Sequence, residues 1–241
     1  MSIQSIALIS AVFFISSFVQ SVSGFGSAIV AMSILTLFFP VKFATPLVLP
    51  IGTIITLTIF LKLRKHFDYK KLKPLLIGTI FGVPTGALFL ARADEQTIKR
   101  ILAFLLFSYG FFSLTGKKKI ELELTPKWGY LAGFFAGCLG GAFSTSGPPV
   151  VIYTSVQKWS KEEITTVLQS FFCLTGVFAL VLHSLNGLYN KEIIMTLFYV
   201  APSVFLGLHI GGKVYSRINQ VTFKKVMYCL MIVMALSLAF G

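Results

Sequence analysis

No charged residue occurs before Lys42, and residues 3–22 are largely apolar. A stretch of that length and composition has few places to go. About 20 consecutive apolar residues make a helix long enough to cross the roughly 30 Å hydrocarbon core of a bilayer. The same ruler finds further full-length stretches at 44–61, 74–91, 98–115, 164–185, 193–212 and 222–240. Shorter apolar stretches lie at 27–39 and 150–156, and 128–143 leads into the second of these. The count predicts an all-α, polytopic integral membrane protein of about ten segments, with short or broken helices in each half. Composition agrees, because 56% of the residues are hydrophobic and only 12% charged, where a soluble domain carries about a quarter charged residues. The first stretch has no basic residue ahead of its apolar core, so it is expected to stay in the mature protein as a membrane segment.

The formal charge of +13, from 21 Lys and Arg against 8 Asp and Glu, would point to nucleic acid in a soluble protein. In a membrane protein Lys and Arg instead collect in cytoplasmic loops. If all ten segments cross, the loops around 62–73, 117–127, 158–161 and 213–225 hold 16 of the 21 basic residues, leaving Lys42, Arg92, Lys99, Arg100 and Lys191 on the other side. That asymmetry predicts the cytoplasmic (inner) membrane, both termini outside, and the lipid bilayer as a partner, with no nucleic acid. A homo-oligomer is compatible with this reading.

Positions compared at an offset of 125 residues repeat. Gly82, Gly86, Arg92, Asp94, Thr97, Lys99 and Arg100 match Gly207, Gly211, Arg217, Asn219, Thr222, Lys224 and Lys225. Both copies sit before the last segment of a five-segment half, and duplicating an odd number of segments inverts the copy. The expected organisation is a first repeat over 1–118, a cytoplasmic linker over 117–127 and an inverted second repeat over 126–241. Such construction, with sites near the midplane at discontinuous helices, marks secondary transporters. The stripes Gly78, Gly82, Gly86 and Gly129, Gly133, Gly137, Gly141 are read as close helix contacts rather than as parts of a site.

All eight acidic residues fall in loops or at segment ends, which argues against a buried-carboxylate proton or sodium site. No Walker A string and no nucleophile with its base appear, so the chain is not expected to be an enzyme or to hold a cofactor or metal. Cys138, Cys173 and Cys229 stand singly in apolar surroundings and are read as small buried hydrophobes. What the interior offers is neutral polar groups beside glycine and proline. The first cluster contains Gln20, Ser23, Gly24, Phe25, Gly26 and Ser27. The second contains Gly140, Gly141, Ser144, Thr145, Ser146, Gly147, Pro148 and Pro149.

Glycine permits the backbone angles of an interrupted helix, and a half-helix that begins inside the membrane turns free N–H groups and its positive dipole end toward the break. With hydroxyls nearby, such ends suit a small anion without a buried cation. Gln20, Ser23, Gly24, Phe25, Gly26, Ser27, Ser144, Thr145, Ser146, Gly147, Pro148 and Gln169 are the expected substrate-binding residues, around a midplane site made by the two breaks. His183 is read as interfacial. His209, beside Gly207 and Gly211, is weighed between a packing role and proton coupling.

The string 20–27 followed by Pro40 and Ala44, and the string 133–149 with its GGAFSTSGPP core, resemble the TauE/SafE family of sulfite exporters. The resemblance covers essentially the whole chain. It implies a membrane transporter of sulfite or organosulfur anions, mostly outward, and places its motif residues on Gln20, Ser23, Gly24, Phe25 and Gly26 and on Gly140, Gly141, Ser144, Ser146, Gly147, Pro148 and Pro149. The first cluster, GFGSA, lacks further glycines common in relatives. The expected function is secondary transport of a small anion by alternating access. An anion channel, or a membrane subunit working with a separate energising partner, is the competing class.

Overall fold

The computed structural model describes residues 2–24, 26–115, 125–214 and 220–240. Among them the chain is helical throughout: α1 (Ile3–Ser23), α2 (Ser27–Phe38), α3 (Val41–Leu63), a short 3-10 turn (Arg64–His66), α4 (Tyr69–Arg92), α5 (Glu95–Thr115), α6 (Pro126–Phe143), α7 (Gly147–Ser155), α8 (Lys161–Leu185), α9 (Lys191–Val214) and α10 (Gln220–Phe240). Six of these, α1, α3, α4, α5, α8 and α9, contain spans long and apolar enough to cross a membrane. Several helices begin before their apolar stretches because a polar or basic first turn is still helical. α4, for example, takes in Lys70, Lys71 and Lys73 ahead of residue 74. Phe25, Arg217, Asn219 and most of the expected linker lie outside the described residues.

The chain divides into two compact units. One comprises Met1–Ile51, Ala93–Gly116 and Leu188–Gly241, and the other Gly52–Arg92 and Lys117–Gly187. Each therefore draws helices from both halves of the sequence. In the first unit α9 packs along α1, α5 along α10, and α2 against α1 and α10. In the second, α4 packs along α6, and α8 against α4, α6 and α7. The core of this second unit is formed by Leu72 and Leu75 of α4, Ala136 of α6, Val150 and Tyr153 of α7, and Val167, Leu168 and Phe171 of α8.

The glycine stripes are the contact faces. A β-carbon at Gly78, Gly82 or Gly86 would strike the carbonyl oxygen of Tyr130, Phe134 or Cys138, and one at Gly133 or Gly141 would strike Leu75 or Val83 in return. Backbone thus lies on backbone, and the rising order of the contacts shows that α4 and α6 run in the same direction. The first unit repeats the arrangement with α9 and α1. Gly207 sits against Phe14 and Ser17, and Gly211 lies with its missing β-carbon 2.8 Å from the Phe18 carbonyl oxygen. Small faces of this kind bring membrane helices together through dispersion, where lipid supplies no hydrophobic drive.

Polar groups close the helix ends. Ser160 and Glu163 form a reciprocal capping box at the start of α8, with the Glu163 amide donating to Ser160 Oγ (3.2 Å) and the Ser160 amide to Glu163 Oε2 (2.9 Å). Glu163 Oε1 also pairs with Lys71 Nζ at 2.5 Å, and that ammonium lies 5.2 Å from the centre of the Trp159 ring. Asp94 Oδ1 accepts the Thr97 amide (2.9 Å) ahead of α5. Hydrogen bonds from the Thr97 side chain and backbone hold the Asp94 carboxyl below the usual aspartate range. Glu95 Oε1 accepts the Val41 amide at 2.6 Å, tying the starts of α5 and α3. Every acidic residue described lies in a loop or in the first turn of a helix.

The cysteines are less uniform than their sequence setting suggests. Cys173 is buried, Cys138 partly so and Cys229 exposed. An apolar run does not tell which face of its helix meets protein, and Cys229 lies on an outward one.

Candidate functional site

The two Gly-rich clusters interrupt helices by the same backbone device. α1 ends on Gly24 in the left-handed region (φ 81°), whose amide donates back to the Gln20 carbonyl at 2.8 Å. α2 starts after Gly26, also left-handed (φ 100°). In the second cluster α6 ends on Ser144, left-handed at φ 56°, with its amide on the Gly140 carbonyl (3.0 Å), and α7 starts after Ser146. Gly24 corresponds to Ser144, Gly26 to Ser146 and Gln20 to Gly140, each pair 120 residues apart (24 to 144). Ser144 is the one non-glycine residue at positive φ among the described residues. A left-handed L-residue costs roughly 1–2 kcal/mol, which the surrounding structure must offset.

The breaks differ in what fills them. In the first, Gln20 is 2% exposed and its Oε1 accepts the Ser27 amide at 2.9 Å, so this side chain bridges the interruption and caps α2. The next two amides of α2 have no carbonyl within the helix to receive them. Ser23 donates to the Val19 carbonyl (2.7 Å) and, with Gly26, Ile29, Tyr109, Tyr228 and Met231, lines a cavity of about 30 Å³. That is room for roughly one water-sized group. The Tyr109 and Tyr228 rings meet edge to face, 6.0 Å between centroids.

In the second break no long side chain stands where Gln20 does. A β-carbon at Gly140 would strike Ser146 Oγ and come within 3.2 Å of Thr175 Cγ2, so a hydroxyl from the start of α7 and one side chain of α8 occupy that space. Thr145 is buried, and its amide reaches the Leu139 carbonyl at 3.4 Å. Pro148 and Pro149 follow Gly147 at the start of α7 and have no amides, so Gly147 contributes the first one. α7 then runs back along α6, because Tyr153 Oη lies 3.1 Å from where a Gly129 β-carbon would stand. Its 9 residues reach only about 14 Å.

Of the expected site residues, Gln20, Ser23, Gly24, Gly26 and Ser27 come together in the first unit, and Ser144, Thr145, Ser146, Gly147 and Pro148 in the second. Gln169 is fully buried on α8. His209 is exposed on α9, turned off the face that Gly207 and Gly211 present to α1.

The reading of His183 as interfacial is corrected. It is fully buried, with Nε2 2.7 Å from the Gly141 carbonyl oxygen. Its position near the end of α8 suggested the surface, but the end of α6 covers it. Thr175 went unread as well. It is 1% exposed, and its Oγ1 has no hydrogen-bond partner in the structure. A polar residue within an apolar run was its only signal.

A family model described as sulfite exporter TauE/SafE matches residues 8–238. A curated relative, the probable sulfite/organosulfonate exporter TauE of Cupriavidus necator, is 23% identical over 233 residues, which cover 92% of this chain and 89% of that protein. No solved structure matches the chain.

Proposed function

The chain belongs to the sulfite exporter TauE/SafE family, and from that premise we propose that it is a secondary transporter exporting a small anion, sulfite or an organosulfonate, across the cytoplasmic membrane. The observation that carries the reading is the pair of broken helices with one backbone plan, each starting a new helix after Gly26 or Ser146 without a cap from that residue's own side chain. Helix starts of this kind offer amides and positive dipole ends to an anion. Breaking backbone inside lipid is tolerated only where protein buries it or where it lines a cavity.

The groups assigned to anion binding are, within the first unit, Ser23, Gly24, Gly26 and Ser27 of the first break and, within the second unit, Ser144, Thr145, Ser146 and Gly147 of the second break. Gln20 sets the start of α2, Pro148 sets that of α7, and Gln169 lines the α8 side. Phe25 belongs with the first group by sequence. The two breaks, and the glycine-faced pairs α4 with α6 and α9 with α1, favour an inverted duplication of five segments and transport by alternating access. Each net negative charge that leaves the cell is favoured by about 2.3 kcal/mol per 100 mV of inside-negative potential.

Counterflow in proteoliposomes with radiolabelled sulfite, sulfate and sulfoacetate tests this. Trans-stimulated exchange by the purified chain is expected. Flux that does not saturate would make it a channel, and absence of flux under every gradient would point to a missing energising partner.

A further inference from the structure

His183 hydrogen-bonds the last turn of α6, which leads into the second break. At the 120-residue spacing that aligns the breaks, its partner is Leu63, and that of Thr175 is Ile55. A polar side chain is thus not repeated at either place at that spacing. A carbonyl can only accept, so the 2.7 Å contact to the Gly141 oxygen requires His183 to carry a proton on Nε2. In the neutral ring Nδ1 is then a bare lone pair, and it is buried with no hydrogen-bond partner in the structure. Buried polar atoms left in this way call for an occupant. A fully ionised anion has no donor to offer a lone pair, so it meets Nδ1 only when a second proton, taken from solvent or carried in on the acid form of the anion, sits there.

The charged surroundings leave this proton without another counter-ion. Among the elements packed against α8, the Lys71–Glu163 pair fixes the basic start of α4 at the opposite end of α8 from His183. Tyr153 of α7 sits at Gly129, and so at the start of α6. The 3-10 turn, which carries Arg64, Lys65 and His66, precedes the start of α4 by two residues and so belongs with the Lys71 end. Toward the His183 end, α6 offers Cys138, one turn before Gly141, and α4 offers Arg92, which is exposed. On α8 itself the nearest ionisable group is Cys173, ten residues away. No carboxylate described stands beside the ring. Placing a cation there is costly unless an anion arrives with it.

We propose that His183 takes up a proton at Nδ1 when the anion binds at the second break, so that each anion is bound together with one proton. The inference rests on the anion-transport reading above. The Nε2–H bond to Gly141 persists in both protonation states, so the end of α6 stays capped while the charge changes. By linkage the anion binds more tightly as pH falls, and the proton more tightly when the anion is present. A divalent anion such as sulfoacetate then crosses with one net negative charge.

The test is anion affinity measured between about pH 6 and about pH 8 for the wild-type protein, His183→Gln and His209→Gln, using whichever of sulfite, sulfate and sulfoacetate binds. Glutamine keeps an amide donor for the Gly141 carbonyl but does not titrate. The wild type and His209→Gln are expected to lose affinity about tenfold per pH unit more steeply than His183→Gln, and comparing slopes cancels the titration of the anion itself. Equal slopes in wild type and His183→Gln overturn the proposal, as does a slope lost in His209→Gln instead. Should His183→Gln not fold, proton uptake by weakly buffered wild-type protein on adding fully ionised sulfate or sulfoacetate decides: uptake of about one proton per bound anion supports it, and none overturns it. Failure of all three anions to bind at either pH removes the anion reading itself, and this inference with it.

Discussion

Replacing Gln20 by alanine removes the oxygen that receives the Ser27 amide across the first break. That amide is buried, and an unsatisfied buried donor costs about 1–3 kcal/mol. Gln20→Ala is therefore expected to lower the thermal unfolding midpoint in detergent, and Gln20→Met, which keeps the side-chain volume without the amide oxygen, should lower it as well. An unchanged midpoint in Gln20→Met would show that the hydrogen bond is not what matters at this position. Single residues also mark where reading the sequence stops. The glycines at 24 and 26 announce an interruption because left-handed backbone favours glycine, and both do take positive φ. Ser144 performs the same turn without that signal. His183 and Thr175 were hidden for a different reason: their partners and surroundings are backbone and side chains more than 30 residues earlier, and no local pattern records them.

Helices were the more legible level. An uncharged run of about 20 residues has essentially one stable form in lipid, because only a helix satisfies every amide within the segment. The predicted stretches accordingly match the observed helices to within a few residues, with the extra turns supplied by polar ends. The glycine stripes announced close contacts but not their partners. That α4 pairs with α6 and α9 with α1 depends on which stripe finds which, and this is fixed by tertiary contacts. The pairing predicts a contrast among glycines of similar sequence context. Gly82→Val and Gly207→Val force side-chain atoms into the Phe134 carbonyl and into Phe14 with Ser17. Overpacking of this sort costs about 1–3 kcal/mol and occasionally more. Gly52 is helical, and a β-carbon there meets nothing within 4 Å. Gly52→Ala should therefore stabilise by up to about 1 kcal/mol through helix propensity alone. Thermal unfolding of the three variants in one detergent checks this, and a destabilised Gly52→Ala would contradict the packing account.

At the scale of the whole chain, we read the +13 charge as an orientation signal. The proposed cytoplasmic side carries 16 of the 21 basic residues, and such a bias sets how a multi-pass protein inserts. The same bias is compatible with two copies of one five-segment unit facing opposite ways. Arg92, Asp94, Thr97, Lys99 and Arg100 recur as Arg217, Asn219, Thr222, Lys224 and Lys225, and an odd number of segments per unit must place the copies on opposite sides. Labelling of single cysteines in intact cells, on a background lacking Cys138, Cys173 and Cys229, separates this arrangement from one with both copies of the motif on the same side. A cysteine beside Asp94 should react with a membrane-impermeant reagent from outside. Cysteines beside Lys70 and beside Lys224 should react only after the cells are opened. Outside reactivity at Lys224 would put both copies of the motif on one side, and a duplication of odd-numbered segments could not produce that. The glycine contacts would then remain as a packing solution shared by two helix pairs, without a common ancestor to explain it.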